Sequence, residues 1–377
     1  MNILLPVFSD GRGGLEMYVI DLAQELMKRN HNPYLICPSD SYLDATRRKK
    51  EIPGESLDAL AYVDLRAVCR LRKLLDEKSI DLIHMHDSQD YWYGAYLRML
   101  GFSGPLVATQ HMRPGHKDDW LHRIIYNRFD RFVAITNDVK TLLVERCDRP
   151  SDQVDVLHYG IRQKETDPVG DTKLSLAEEL GVPGTATLLG VVGRIDPQKR
   201  QELLLKAASR LRGNGYPIEV LLVGAAVESV GRKYRQTLEE LTEDLGLTDH
   251  VHFLGHREDV TRIMKELDVL CLTTDCETFG KVLVEAQAVG TPVVATDAGG
   301  APEALRAGET GLLFEPENWR DLTDKLETLL SDDNRRNVMG KRGRSFVREN
   351  FDWEDHFDHV VSLYDELSEE TSLQDRG

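Results

Sequence analysis

The sequence predicts an α/β protein made of two doubly wound parallel sheets, and three observations predict it. Short apolar, β-branched runs alternate with amphipathic helical stretches, the pattern of parallel strands joined by crossover helices. The alternation runs twice, once on each side of a polar stretch at 162–184 that has Pro and Gly breaks and no strand pattern. The length of 377 residues suits two domains, each long enough to bury its own core.

In the first series, strands are expected at 2–6, 33–37, 82–85, 106–109, 132–135 and 154–157, with helices in the gaps, for example at 15–29. The second series places strands at 187–192, 219–223, 252–254, 269–273, 292–296 and 311–314, with helices at about 198–212 and 231–245. Beyond Phe314 the pattern is helical only, at 319–330, 334–349 and 353–367. In the last of these, Phe357, Val360, Val361 and Tyr364 are spaced for one packing face. No repeat recurs at a fixed spacing of about 20 to 50 residues. The domains are therefore expected at 1–165 and 166–352. Ligands of such folds bind at the carboxyl ends of the strands, so two domains facing each other across a cleft would place function there.

Composition narrows the class. Hydrophobic residues make up 41% of the chain, ordinary for a globular protein. The longest apolar runs, 187–193 and 220–227, are far shorter than the roughly 18 to 20 residues of a membrane span. The first eight residues lack a basic region and a long apolar stretch, so no signal peptide is expected and the chain is read as cytoplasmic. Five cysteines, with no C-x-x-C, suggest neither a disulfide framework nor a zinc knuckle. A net charge of −17 argues against a nucleic-acid partner. That charge is uneven: residues 1–165 carry 23 basic against 24 acidic side chains, and the remainder 24 against 40. Within the near-neutral half, Arg47-Arg48-Lys49-Lys50 in an expected loop and the basic, aromatic stretch 111–131 are either solvated surface or faces for anionic lipid head groups.

Several motifs fall where strands end. Gly11-Arg12-Gly13-Gly14 lies between the first strand and first helix, where glycines let backbone N–H groups approach an anion; a plain flexible turn is the alternative. It matches neither the dinucleotide fingerprint nor a Walker loop. The strand at 187–192 runs into Gly193-Arg194-Ile195-Asp196-Pro197-Gln198-Lys199, two cations in one loop, suited to a diphosphate. After the strand at 269–273 comes Asp275-Cys276-Glu277-Thr278-Phe279-Gly280-Lys281-Val282-Leu283-Val284-Glu285. With a helix starting near Phe279, Glu285 lies about two turns into it and Glu277 in the turn before, so that both can face the cleft. Carboxylates accept hydroxyl hydrogen bonds while Arg and Lys neutralise phosphate, which together describe a nucleotide sugar. Taken singly, the two glutamates also read as ordinary helix charges. His84-x-His86, with His111 and His116, is a weak metal-ligand pattern without a completing carboxylate or cysteine. Tyr91-Trp92-Tyr93 reads as helix packing or as an acceptor contact.

These motifs, followed by Gly290-Thr291-Pro292-Val293-Val294-Ala295 and Gly299-Gly300-x-Pro302-Glu303, resemble the retaining GT-B glycosyltransferases of family 4 over nearly the whole chain. The segment 268–303 is the specific part of the likeness. The resemblance implies a GT-B fold, with an acceptor-binding first domain, a donor-binding second domain and a last helix, 353–377, that returns to the first. It implies that Arg194 and Lys199 hold the donor diphosphate, that Glu285 binds ribose hydroxyls and that Glu277 lies near the transferred sugar. Backbone amides at Phe279, Gly280, Lys281 and Val282 would meet donor oxygens, Gly14 would close on the phosphates, and His111, after Thr109-Gln110, would position the sugar or stabilise transition-state charge. Two departures stand out: Arg200 replaces the usual Gly after the Lys, and His158-Tyr159-Gly160 replaces an Asn-Gly turn.

The resulting expectation is a retaining hexosyltransferase that moves a sugar from a nucleotide diphosphate, UDP favoured, to a hydroxyl of a glycan or glycolipid acceptor. By family analogy the acceptor belongs to bacterial lipopolysaccharide or another surface polysaccharide. Negative charge develops on the leaving diphosphate, so Arg194 and Lys199 act electrostatically. With no D-x-D in the sequence, no metal and no other cofactor are expected. The enzyme is expected in the cytoplasm, with peripheral contact to the inner face of an anionic membrane. Two rival readings are a GT-B nucleotide-sugar 2-epimerase and a non-catalytic nucleotide-sugar-binding protein.

Overall fold

The computed structural model describes residues 1–60, 62–115, 119–162 and 174–374, apart from the side chains of Glu228 and Gln374. The chain divides into two units, Met1–His158 with Glu354–Gly377, and Tyr159–Trp353.

The first unit runs β1 (Asn2–Pro6), α1 (Gly14–Lys28), β2 (Asn32–Cys37), α2 (Tyr42–Lys49), β3 (Gly54–Ser56), α3 (Leu65–Glu77), β4 (Leu82–Met85), α4 (Tyr91–Met99), β5 (Leu106–Gln110), α5 (Trp120–Tyr126), β6 (Arg131–Ala134), α6 (Asn137–Cys147) and β7 (Val154–Val156). Its parallel sheet has the order β3-β2-β1-β4-β5-β6-β7. The second unit runs α7 (Leu176–Leu180), β8 (Thr187–Val192), α8 (Gln201–Gly213), β9 (Ile218–Val223), α9 (Glu228–Asp244), β10 (Val251–Gly255), α10 (Val260–Glu266), β11 (Val269–Leu272), α11 (Lys281–Ala288), β12 (Val293–Thr296), β13 (Gly311–Phe314), α12 (Trp319–Leu330) and α13 (Asp333–Asn350). Its sheet, also parallel, has the order β10-β9-β8-β11-β12-β13. In both sheets the winding reverses beside the first strand, between β1 and β4 and between β8 and β11. A crevice opens at such a switch point.

Helices cover both faces of these sheets, so the central strands are apolar on both sides; every residue of β4, β9 and β11 is buried. That double burial makes the strands conspicuous as continuous apolar runs. The strand β3 was not expected, because Gly-Glu-Ser at the sheet edge carries no apolar signal. Its Gly54 is required by packing, since a Cβ there would stand 2.0 Å from the Leu35 carbonyl oxygen.

Three local expectations need correction. The basic run at Arg47 is the last turn of α2 rather than a loop, cations there complementing the helix dipole. Arg47 is buried, and Arg47 and Arg48 both pair with Asp44, at 2.7 and 2.9 Å. The helix expected from 198 is interrupted: Pro197–Lys199 form a short 3-10 turn and Arg200, at φ 49°, redirects the chain into α8. The helix expected near Phe279 starts at Lys281, because Gly280 takes a left-handed conformation at φ 84°.

The last helix, α14 (Trp353–Gln374), belongs from Glu354 onward to the first unit. It buries Phe357, Val360 and Tyr364, with Val361 half-buried. Arg29 reaches Glu354 at 2.7 Å and Asp358 at 2.8 Å, and the Tyr18 hydroxyl lies 3.1 Å from His356 Nε2.

Arg200 occupies a backbone conformation that costs an L-residue roughly 1–2 kcal/mol. Its guanidinium offsets part of that strain by pairing with Asp275 at 2.8 Å, Glu202 at 3.4 Å and Glu317 at 3.3 Å. Arg200→Gly and Arg200→Ala lose these pairs equally, so glycine gains the relief of strain and loses about 0.4–1 kcal/mol to its freer unfolded chain. Urea denaturation should find the glycine variant more stable by roughly 0.5–1 kcal/mol; a glycine variant less stable than the alanine one by about that amount would show that the position carries no strain.

Candidate functional site

The carboxyl ends of β8 and β11 flank the switch point of the second unit, and the sequence there builds one rigid platform. Gly193 N–H donates to Val223 O at 2.9 Å, and a Cβ on Gly224, at φ 145°, would stand 1.9 Å from the Gly193 oxygen. Only glycine permits that approach. Gln201 Nε2 donates to the Arg194 carbonyl at 2.9 Å. Two buried threonines after β11 stitch the loops together: Thr273 Oγ1 donates to Lys199 O at 2.7 Å and Thr274 Oγ1 to Gln198 O at 2.8 Å. Sequence reasoning passed over Gln201, Thr273 and Thr274. Their signal was a run of hydrogen-bonding side chains immediately after an apolar strand.

On this platform Lys199 Nζ stands 2.7 Å from Glu277 Oε2, their side chains 25% and 21% exposed. A charge-assisted hydrogen bond of this length is strong, and partial burial screens it less than a surface pair. Glu277 is fixed from behind, its carbonyl accepting from Gly300 N–H at 2.8 Å. A Cβ on Gly299, at φ 61°, would stand 2.2 Å from that same oxygen. Arg194 is exposed on the same loop as Lys199 and makes no ion pair among the described residues. On α11, Lys281 Nζ lies 3.7 Å from Glu285 Oε1. Glu285 is thus about one turn into the helix, not two. The Lys281 and Val282 amides belong to the first turn of α11, which offers its N–H groups no intrahelical acceptor. Phe279 differs in kind: its side chain is buried, edge-on to Tyr159 and Phe351, and only its backbone is a ligand candidate.

The first unit holds the remaining candidates. Gly14 opens α1, has no positive φ and would meet nothing within 4 Å if it bore a Cβ. The chain itself therefore does not require glycine there. The preceding loop is organised by Glu16, a buried residue that sequence reasoning missed; its carboxylate accepts from Gly13 N–H at 2.7 Å and from the Ser9 hydroxyl. His111 is buried after β5, with Nε2 3.1 Å from His86 Nδ1 and its ring edge-on to Tyr18 at 5.0 Å. Burial lowers its pKa to about 3. The neighbouring His84 bonds Thr109 Oγ1 at 2.7 Å. Among the described residues no group of three or more His, Cys, Asp or Glu is arranged to hold a metal, and His116 lies outside them. Tyr91, Trp92 and Tyr93 are buried in α4, which answers the choice between packing and acceptor contact in favour of packing.

A cavity of about 390 Å³ opens at the ends of β1, β2 and β4, lined in part by Phe8, Ser9, Asp10, Asp58, Asp87 and Asp90. Asp90 is buried there, accepting from Phe8 N–H at 3.0 Å; burial and then Asp87 push its carboxyl well above the usual range.

Chemically, the second unit offers two cations, helix-end amides and two carboxylates, a set whose chemistry suits an anion attached to a polyol. Residues 12–164 match the model of Glycosyltransferase Family 4, and residues 173–346 that of Glycosyl transferases group 1. The chain is 29% identical to a D-inositol 3-phosphate glycosyltransferase of Rhodococcus erythropolis, over 93% of this chain and 86% of that one. It is 30% identical to the enzyme of the same description from Corynebacterium kroppenstedtii, over 84% and 73%. Its fold is similar to Alr3699/HepE of Anabaena, solved in complex with UDP, with a TM-score of 0.87 and 23% identity over 97% of this chain and all of that one. The chain belongs to the family 4 glycosyltransferases of GT-B fold.

Proposed function

We propose that this glycosyltransferase takes its sugar from a nucleotide-diphosphate donor, UDP favoured, and that the Lys199–Glu277 pair is the donor switch. The observation that carries this reading is the 2.7 Å pair at the switch point, with exposed Arg194 on the same loop. A diphosphate offers Lys199 more negative charge than one carboxylate does. Glu277, released, then accepts hydroxyl hydrogen bonds from the transferred sugar, so both partners exchange one strong bond for another. Glu285 reads the ribose hydroxyls, while the Phe279, Gly280, Lys281 and Val282 amides and Gly14 meet donor oxygens. Bond cleavage puts negative charge on the departing diphosphate, and Arg194 and Lys199 stabilise it in the place of a metal. His111 assists at the sugar. Transfer retains the anomeric configuration, the departing phosphate taking the acceptor's proton on the same face. The UDP held by the Anabaena neighbour supports the choice of base.

The acceptor is a hydroxyl of a glycan or glycolipid, assigned to bacterial surface polysaccharide by family analogy. Among the described residues, the cavity lined by Asp10, Asp58, Asp87 and Asp90 has no Lys or Arg in its wall. Carboxylates there favour hydroxyls and repel phosphate, so this acceptor differs in charge from the inositol 3-phosphate named for the relatives. No helix among the described residues is long and apolar enough to cross a membrane. Peripheral contact falls to α5, where Trp120, Leu121 and Ile124 are exposed beside Arg123.

A panel of UDP-, GDP- and ADP-sugars tests the donor. UDP-sugars should raise the melting temperature of the full chain and support transfer in the presence of EDTA, and Lys199→Ala should lower kcat roughly 10²–10³-fold. Unchanged turnover in that variant would remove its electrostatic role. For the membrane, vesicles with anionic lipid should retain the chain and Trp120→Ala should weaken the retention. Equal binding to neutral vesicles would exclude an electrostatic contribution.

A further inference from the structure

Four histidines of the first unit, His84, His86, His111 and His356, lie buried close to Tyr18 and Tyr364, and hydrogen bonds constrain where the protons of His86, His111 and His356 sit. Burial keeps all four neutral: the pKa values of His84 and His111 fall to about 3, that of His356 to about 4, and that of His86 well below its ordinary value. A neutral imidazole has one N–H and one lone pair. The His158 carbonyl, 2.7 Å from His356 Nδ1, can only accept, so His356 carries its proton at Nδ1. Its Nε2 then accepts from the Tyr18 hydroxyl at 3.1 Å.

The same accounting applies between His86 Nδ1 and His111 Nε2, 3.1 Å apart, where a single proton makes the bond. Were that proton on His111, the proton of His86 would sit on Nε2, which is buried with no partner among the described residues. Orphaned buried N–H groups are rarer than under-satisfied acceptors. The opposite arrangement leaves only a lone pair at that place. We propose that His86 donates from Nδ1 to His111 Nε2 and so holds His111 as the Nδ1–H tautomer. The Nε2 lone pair of His111 is then occupied and its Nδ1 is protonated, so the ring has no basic nitrogen to offer. His111 therefore cannot serve as the base, and the acceptor's proton has to leave to another group. His86 acts through His111 and is a positioning residue. This inference rests on the reading of His111 as a residue of the transfer reaction.

Long-range proton–nitrogen correlation spectra of the full chain, labelled with ¹⁵N-histidine and recorded at neutral pH, read the tautomer without reference to activity. The His111 signals are identified by their loss in His111→Gln. The expected pattern is a proton-bearing Nδ1 and a bare Nε2 on His111, with the proton of His86 on Nδ1; a proton on His111 Nε2 overturns the proposal. In kinetics, His86→Leu should lower kcat by roughly tenfold or more with donor KM nearly constant, the cost of a lost buried donor. His86→Asn, whose amide can present an N–H near the same place, should recover most of that loss. Equal losses in the two variants would overturn the positioning role. Full turnover by His111→Gln would instead sink the reading of His111 itself, whatever the spectra show about the proton.

Discussion

The ion pair between Lys199 and Glu277 depends on nearly every other feature of the second unit, and the functional account depends on it. A lysine and a glutamate 78 positions apart meet at 2.7 Å only because β8 and β11 are neighbours in the sheet and end side by side. Thr273 and Thr274 tie the two loops, Gly224 lets the first loop close, and Gly299 leaves room for the Glu277 carbonyl. Such a platform is pre-organised, so a charged ligand arriving there meets dipoles and charges already in place. The pair is about three-quarters buried, and in the proposed reaction a stronger anion enters it because each partner then has a second role to take up.

The first unit solves a different problem. His84 lies in β4, and His86 and His111 directly follow β4 and β5; the returning helix α14 brings His356 and Tyr364 to them, and burial keeps these rings uncharged. Neutral imidazoles can be chained donor to acceptor, and one fixed carbonyl, that of His158, orients the chain's end. Glu16 plays a comparable part for the loop before α1, where its carboxylate takes up an amide and a hydroxyl donor.

Much of this was legible in the sequence. Strands buried on both faces announce themselves, so β1, β4, β8 and β13 are found at their expected bounds. The polar edge strand β3 has no such signal and was missed. Arg194, Lys199, Glu277 and Glu285 stood out because they lie in the strand-to-helix segments that follow β8 and β11, within motifs that resemble a known family. Residues that act through backbone geometry did not stand out: the left-handed turns at Arg200 and Gly280 shifted two helix starts, and no periodicity encodes them. Asp44 stands three and four residues before Arg47 and Arg48, and Glu16 three after the N-cap Gly13, spacings that pair on a helix and at its start; reading 47–50 as a loop hid the first, and not placing the cap of α1 at Gly13 hid the second.

The central claim is that the Lys199–Glu277 pair gives way to the donor. A crystal structure of the chain with UDP bound tests it most directly. The account predicts Lys199 Nζ within hydrogen-bond distance of a phosphate oxygen and the Glu277 carboxylate turned away from it. A bound nucleotide whose diphosphate lies elsewhere, with the 2.7 Å pair intact, would contradict it.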